Sequence, residues 1–134
     1  SVMTGSNSPL NAAVAAGIAG LQLVQDNPSM RKKLWTNARY LSENLGQLGI
    51  TSESKYIPEM HGTIPIASFS YGNAETMQSI HNYLMEEGIY IQYTDYKGAG
   101  PGGVLRIVVT SAHKKVEIVR LTSALKEAFH RYGP

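Results

Sequence analysis

The sequence predicts an α/β (α+β) domain in which a small sheet is covered by helices, with elements in the order ααβαββα. Three observations carry that expectation. Apolar residues recur at helical spacing in four segments, short strand-like runs fill three others, and Gly, Pro and Asn separate them. Of the 134 residues, 43% are hydrophobic and 16% charged, the balance of a chain that buries a core. At this size folding removes roughly two-thirds of the unfolded surface from water, so a core forms without cross-links.

The elements follow in order. Ser8-Pro9 offers an N-cap hydroxyl and a proline suited to the first helical position, so a helix is expected from Leu10 to Gln25, ending at Asp26-Asn27-Pro28. Its middle (Ala12, Ala13, Ala15, Ala16, Gly17, Ala19, Gly20) is small. An interior Gly costs about 1 kcal/mol relative to Ala, so Gly17 and Gly20 suggest that another backbone comes close. A second helix is expected from near Ser29 to Leu48, with Leu34, Ala38, Leu41, Leu45 and Leu48 on one stripe and Gly49 as its C′ residue.

Thr51 to Gly62 is polar, with Pro58 inside it, and reads as a loop. Ile64 to Tyr71 reads as a strand, with Pro65 at its start or on a sheet edge. Gly72-Asn73 then caps a third helix with Met77, Ile80 and Leu84 inward and Gly88 at its end. Ile89 to Tyr93 and Val104 to Thr110 read as strands, joined by a glycine-rich stretch that ends in Gly98-Ala-Gly-Pro-Gly-Gly. The last helix is expected from about Lys115 to Arg131, with Ile118, Leu121, Leu125 and Phe129 on one face. Nothing resembling an internal linker interrupts residues 1–134, which read as a single domain.

Composition excludes several function classes. Twelve Lys and Arg against ten Asp and Glu leave a formal charge of +2, too small and too scattered for a nucleic-acid surface or an anionic-membrane surface. Without cysteine there is neither a disulfide framework nor a thiolate metal site. No apolar run is long enough to span a membrane, and Ser1 to Ser6 does not read as a signal peptide. A soluble cytoplasmic domain is the expectation. His61, His81, His113 and His130 lack the spacing of metal-ligand pairs, so no metal site is expected, and His81 and His130 read as solvent-facing or boundary residues. Glu86-Glu87 reads as a solvated helix end. The glycine-rich stretch leads into a strand, whereas a phosphate-cradling loop leads into a helix, so it reads as a connection between strands.

Arg106 differs from these. Alternation along Val104 to Val109 puts its guanidinium on one face with Val104 and Val108, opposite Leu105, Ile107 and Val109. A permanently charged planar fork in such a strand needs an anion, either a ligand carboxylate held at two points or a structural ion-pair partner.

Four runs then resemble one family. Leu105-Arg106-Ile107-Val108-Val109-Thr110-Ser111-Ala112-His113 is similar to the "RIRxxxSAAH" stretch of the α-oxoamine synthases. These are fold-type I pyridoxal-phosphate enzymes that include glycine C-acetyltransferase, 8-amino-7-oxononanoate synthase and serine palmitoyltransferase. Glu87-Gly88-Ile89-Tyr90-Ile91 resembles the family's "xxGIxV" join, and Leu34-Trp35-Thr36-Asn37-Ala38 its "LWxNA". Thr4-Gly5-Ser6-Asn7-Ser8-Pro9 resembles the "FSxSxxP" turn.

The resemblance implies a C-terminal small domain, with a mostly antiparallel sheet, whose N-terminal large domain is absent. It implies the cofactor pyridoxal 5'-phosphate in the full-length enzyme, amino-acid and acyl-CoA substrates, and a homodimer. Arg106 would bind the amino-acid carboxylate. Thr4 and Ser6 would bind the cofactor phosphate, reaching it from the neighbouring subunit. None of the seven lysines (Lys32, Lys33, Lys55, Lys97, Lys114, Lys115, Lys126) stands in the family's Schiff-base context, so no catalytic residue is expected here and the chain alone should be inactive. Tyr96 to Pro101 replaces the family's "YPxVP", and Lys114 replaces its Thr N-cap. The alternatives are the small domain of a fold-type I aminotransferase and a non-catalytic ligand-binding or interaction module.

Overall fold

The computed structural model describes residues 10–50, 65–95 and 102–133. It contains α1 (Asn11–Asp26), α2 (Pro28–Gln47), β1 (Ile66–Phe69), α3 (Ala74–Glu86), β2 (Gln92–Thr94), β3 (Val104–Val108) and α4 (Lys115–Tyr132). This is the expected ααβαββα order. The chain divides into two compact units, residues 1–32 and 33–134, with the boundary inside α2.

In the first unit, Asn27 donates to the Leu23 carbonyl at 2.8 Å, and the Arg31 guanidinium donates to that of Val24. No residue of α1 is buried. A Cβ added at Gly17 or Gly20 would meet nothing within 4 Å. The close backbone approach that the two glycines suggest is therefore not made among the described residues.

In the second unit the three strands form an antiparallel sheet in the order β1-β3-β2. The last strand in sequence sits in the middle. Pro65 precedes edge strand β1, where its missing N–H costs no ladder bond, and its carbonyl accepts from Val109 N at 2.9 Å. One face of the sheet carries Ala67, Phe69, Leu105 and Ile107, all buried. These join Met77, Ile80 and Leu84 of α3, Ile118, Leu121 and Leu125 of α4, and Ala38, Leu41 and Leu45 of α2 in a single core. The inward residues are those read from helical periodicity, with Leu34, Leu48 and Phe129 only partly buried and Phe129 stacked on Tyr71 at 4.6 Å between ring centroids.

Both α2 and α3 end at a glycine in the left-handed region, Gly49 at φ 74° and Gly88 at φ 71°. Ile50 N donates to Leu45 O at 3.1 Å and Ile89 N to Leu84 O at 2.8 Å, so each glycine closes a six-to-one capping turn. The expected strand Ile89 to Tyr93 accordingly begins three residues late, because Ile89 spends its N–H on the cap. Asn73 caps α3 by accepting from Thr76 N at 2.9 Å. At α4, Lys114 has no acceptor to offer, but Glu117 takes the Lys114 N–H at 2.7 Å and supplies the return half of a capping box.

The described end of the glycine-rich connection is tightly packed. A Cβ at Gly102 would lie 2.8 Å from the Gly72 carbonyl oxygen, and Gly103, at φ 70°, would put one 2.7 Å from the Tyr93 hydroxyl. Gly98, Gly100 and Pro101 lie outside the described residues, as do the expected loop 51–62 and Ile64.

Candidate functional site

Register places Arg106 at the centre of the sheet. It stands opposite Ser68 on β1 and opposite Gln92 on β2, so three polar side chains form a row across all three strands on one face. Directly opposed residues in such a ladder hold their Cβ atoms about 5 Å apart, within reach of a shared ligand. Gln92 is exposed, and Ser68 and Arg106 are partly buried. The row is flanked on β1 and β3 by Ile66 and Val108, which are 42% and 52% exposed. Helices α3 and α4 and the second half of α2 pack against the other face, and among the described residues of the second unit this one is open at Ile66, Gln92 and Val108. Thr94, opposite Val104 on the same face, keeps a buried hydroxyl with no hydrogen-bond partner among the described residues.

The ion pair that the sequence left open for Arg106 does not form among the described residues, where Arg131–Glu127 is the pair present, at 2.7 Å. That pair lies on the outer face of α4, where hydrogen bonding to Arg131 lowers the Glu127 carboxyl below its usual range. Arg106 is thus a cation on an open sheet face with a hydroxyl on one side and an amide on the other. Such a set can take a planar anion at two points and add neutral donors at its edges.

The strand is anchored at its far end. Asn37, buried on α2, donates through Nδ2 to Thr110 O at 2.9 Å and to His113 O at 2.8 Å. His113 in turn accepts from Thr110 N through Nδ1 at 2.9 Å, closing the turn that joins β3 to α4. Two of the family-like runs, 34–38 and 105–113, therefore meet through Asn37. The third described run, 87–91, is joined to α4 by Arg120, which donates to Glu87 O.

A cavity of about 270 Å³ is lined by Leu41, Ile89, Ile91, Ile107, Val109, Ile118 and Leu121, with His113, Glu117 and Arg120 among its polar residues. Arg106 does not line it. Val108, which flanks the row, also lines the cavity.

Thr4 and Ser6 lie outside the described residues. Among the described residues no His, Asp and Glu cluster could hold a metal ion. The described lysines (Lys32, Lys33, Lys114, Lys115, Lys126) are all exposed, on or beside helices. His81 is partly buried with Nε2 3.2 Å from Ile91 O, His130 is exposed, and Glu86 and Glu87 are exposed at the end of α3. Among the described residues no helix is long and apolar enough to cross a membrane.

The family model described as "Aminotransferase class I and II" matches residues 2–125. The chain is 33% identical over 129 residues to 2-amino-3-ketobutyrate coenzyme A ligase of Escherichia coli K12, covering 96% of this chain and 30% of that protein. It thus spans under a third of the length of that curated relative. In fold it is similar to 8-amino-7-oxononanoate synthase from Francisella tularensis, with a TM-score of 0.70, 18% identity, and coverage of 87% of this chain and 32% of that one. It is likewise similar to a serine palmitoyltransferase from S. paucimobilis solved with a bound PLP-myriocin aldimine, with a TM-score of 0.64, 20% identity, and coverage of 77% and 25%. These are the kinds of enzyme that the sequence motifs resemble.

Proposed function

The chain belongs to the class I and II aminotransferase family, and from that membership we propose that it is the C-terminal small domain of a pyridoxal-phosphate-dependent acyltransferase. In this reading the full-length protein condenses an amino acid with an acyl-CoA and releases CoA. The observation that carries it is Arg106. It sits mid-sheet on an open face, between Ser68 and Gln92, without a carboxylate partner among the described residues. Its place in the run 105–113 is the one whose arginine would bind the amino-acid carboxylate.

The names of the relatives favour acyl transfer over transamination. A 2-amino-3-ketobutyrate and an 8-amino-7-oxononanoate each hold an amino group next to a ketone. Joining an amino acid's α-carbon to an acyl thioester makes that arrangement, whereas moving an amino group between two molecules does not.

The chain's own contribution is to bind and orient. Arg106 holds the carboxylate by two parallel hydrogen bonds, which fixes the direction of the α-carbon. Pyridoxal phosphate, when bound in the full-length protein, supplies the electron sink for the chemistry at that carbon. Thr4 and Ser6 hold its phosphate from the neighbouring subunit of a homodimer. The large domain that precedes this chain contributes the Schiff-base lysine, and the whole enzyme works in the cytoplasm.

The test is an assay of the full-length protein with glycine, alanine or serine against a series of acyl-CoAs. Release of free CoA that depends on the amino acid, with an amino ketone as product, supports the reading. Amino-group transfer to a 2-oxo acid without CoA release favours the aminotransferase. Neither activity, in a protein whose upstream sequence lacks a Schiff-base lysine, leaves a binding module.

A further inference from the structure

Asn37 is one of two buried polar residues among the described residues, at 3% exposure, and it belongs to a different element from the strand that it holds. Its amide nitrogen gives both hydrogens to the turn after β3, one to Thr110 O and one to His113 O. Those carbonyls lie 73 and 76 residues along the chain from Asn37. The turn starts at Thr110, four residues after Arg106 and two past the end of β3, a strand that pairs with β1 and β2 and packs Leu105 and Ile107 into the core. That packing holds the middle of the strand, and the buried fork holds its end, where a strand without such a pin twists more readily.

We propose that Asn37 is a positioning residue for Arg106: its fork on Thr110 and His113 fixes the end of β3 and thereby the angle at which the guanidinium meets a substrate carboxylate. This rests on the proposed role of Arg106 and adds a residue to it. Asn37 touches no substrate. Its effect travels from Thr110 back through Val109 into β3, four residues in all to Arg106. A two-point contact is sensitive to such a shift, because a small rotation of the strand leaves one of the two parallel bonds long while the charge stays in place.

The experiment uses the full-length holoenzyme and the variants Asn37→Ala, Asn37→Asp, Arg106→Ala and the double variant Asn37→Ala with Arg106→Ala. Asn37→Asp keeps the shape and removes both donors. Each of the two Asn37 variants should raise the amino-acid KM about tenfold, the effect of losing one well-aligned hydrogen bond to a charged group, with the acyl-CoA KM unchanged. In the Arg106→Ala background the same substitution should add nothing to the amino-acid KM, because the group being positioned is gone, while the melting temperature falls as much as in the single variant. Leu45→Ala, a buried change on α2 away from the turn, is the control for lost stability. It should lower the melting temperature and leave both KM values alone.

An amino-acid KM that moves equally in both backgrounds overturns the proposal, as does a KM that follows melting temperature across Leu45→Ala and the Asn37 variants. Should Asn37→Ala fail to fold, Asn37→Asp carries the same comparison. If Arg106→Ala alone leaves the amino-acid KM unchanged, the carboxylate role itself fails. If only the Asn37 variants do so, the carboxylate role stands and the positioning role falls.

Discussion

Replacing Arg106 by Ala in the full-length protein separates the two roles open to a strand arginine. In this chain the side chain is partly buried, lies on the open face of the sheet, and has no carboxylate partner among the described residues. Removing it breaks no described ion pair and empties no core position, so stability should change by no more than about 0.5 kcal/mol. The effect on substrate is much larger. A carboxylate left without its fork in a partly dry cleft loses about 2–4 kcal/mol, or roughly 30- to 1000-fold in kcat/KM. Most of that should fall on the amino-acid KM, and little on that of acyl-CoA. Arg106→Lys keeps the charge but contacts at one point, so it should lie between wild type and Ala. Steady-state kinetics with each substrate varied in turn, run beside thermal melts and cofactor absorbance, reads all of these. An Arg106→Ala enzyme with an unaltered amino-acid KM would refute the carboxylate assignment. A lower melting temperature with an even loss for both substrates would show a structural ion pair instead.

Three further outcomes are expected. The 134-residue chain alone should give no stoichiometric borohydride-trapped adduct with pyridoxal phosphate, since its described lysines are exposed; a trapped band would count against the missing-domain reading. Gly103→Ala should destabilise the chain by more than about 1 kcal/mol in urea unfolding, because the position has φ 70° and the new methyl would meet the Tyr93 ring, and Tyr93→Ala should restore part of the loss. Glu127 has its carboxyl lowered in the folded state, chiefly by the hydrogen bond from Arg131, so its contribution is present above the unfolded carboxylate range and is lost as pH falls through the folded value. The melting-temperature gap between wild type and Glu127→Gln should therefore be small at neutral pH and close on acidification.

The helices were legible because their signals are local. A stripe such as Leu34, Ala38, Leu41, Leu45 and Leu48 is written at the helical period, and Gly49 and Gly88 mark the ends where a positive φ is needed. The face of Arg106 was legible for the same reason, since alternation along five residues suffices to separate Val104, Arg106 and Val108 from Leu105 and Ile107. The neighbours of Arg106 were not. Ser68 and Gln92 reach it only through strand register, which depends on how three separated segments pair. The start of β2 was misplaced because Ile89 looks like a strand residue and acts as the residue that closes the cap of α3. Asn37 carried no local signal of its partners, and only its place in the run Leu34 to Ala38 marked it out.

If the chain is the small domain proposed above, the sheet's two faces explain why it would need more protein around it to act. The closed face buries Leu105 and Ile107 among three helices and holds β3 in the middle of the sheet. The open face leaves Ile66 and Val108 in water beside a guanidinium. In water a single ion contact at about 4 Å is worth about 1 kcal/mol, and it strengthens severalfold as the surroundings become less polar. An arginine on an open face therefore selects carboxylates poorly, and gains selectivity only when another surface covers the apolar residues around it and excludes water. Covering Ile66 and Val108 would supply favourable burial, and the same act would turn Arg106 from a hydrated surface cation into a desolvated fork that requires an anion. In the proposed reading the strand supplies the geometry, Asn37 holds it steady, and the rest of the full-length protein would supply the dryness that makes the geometry count.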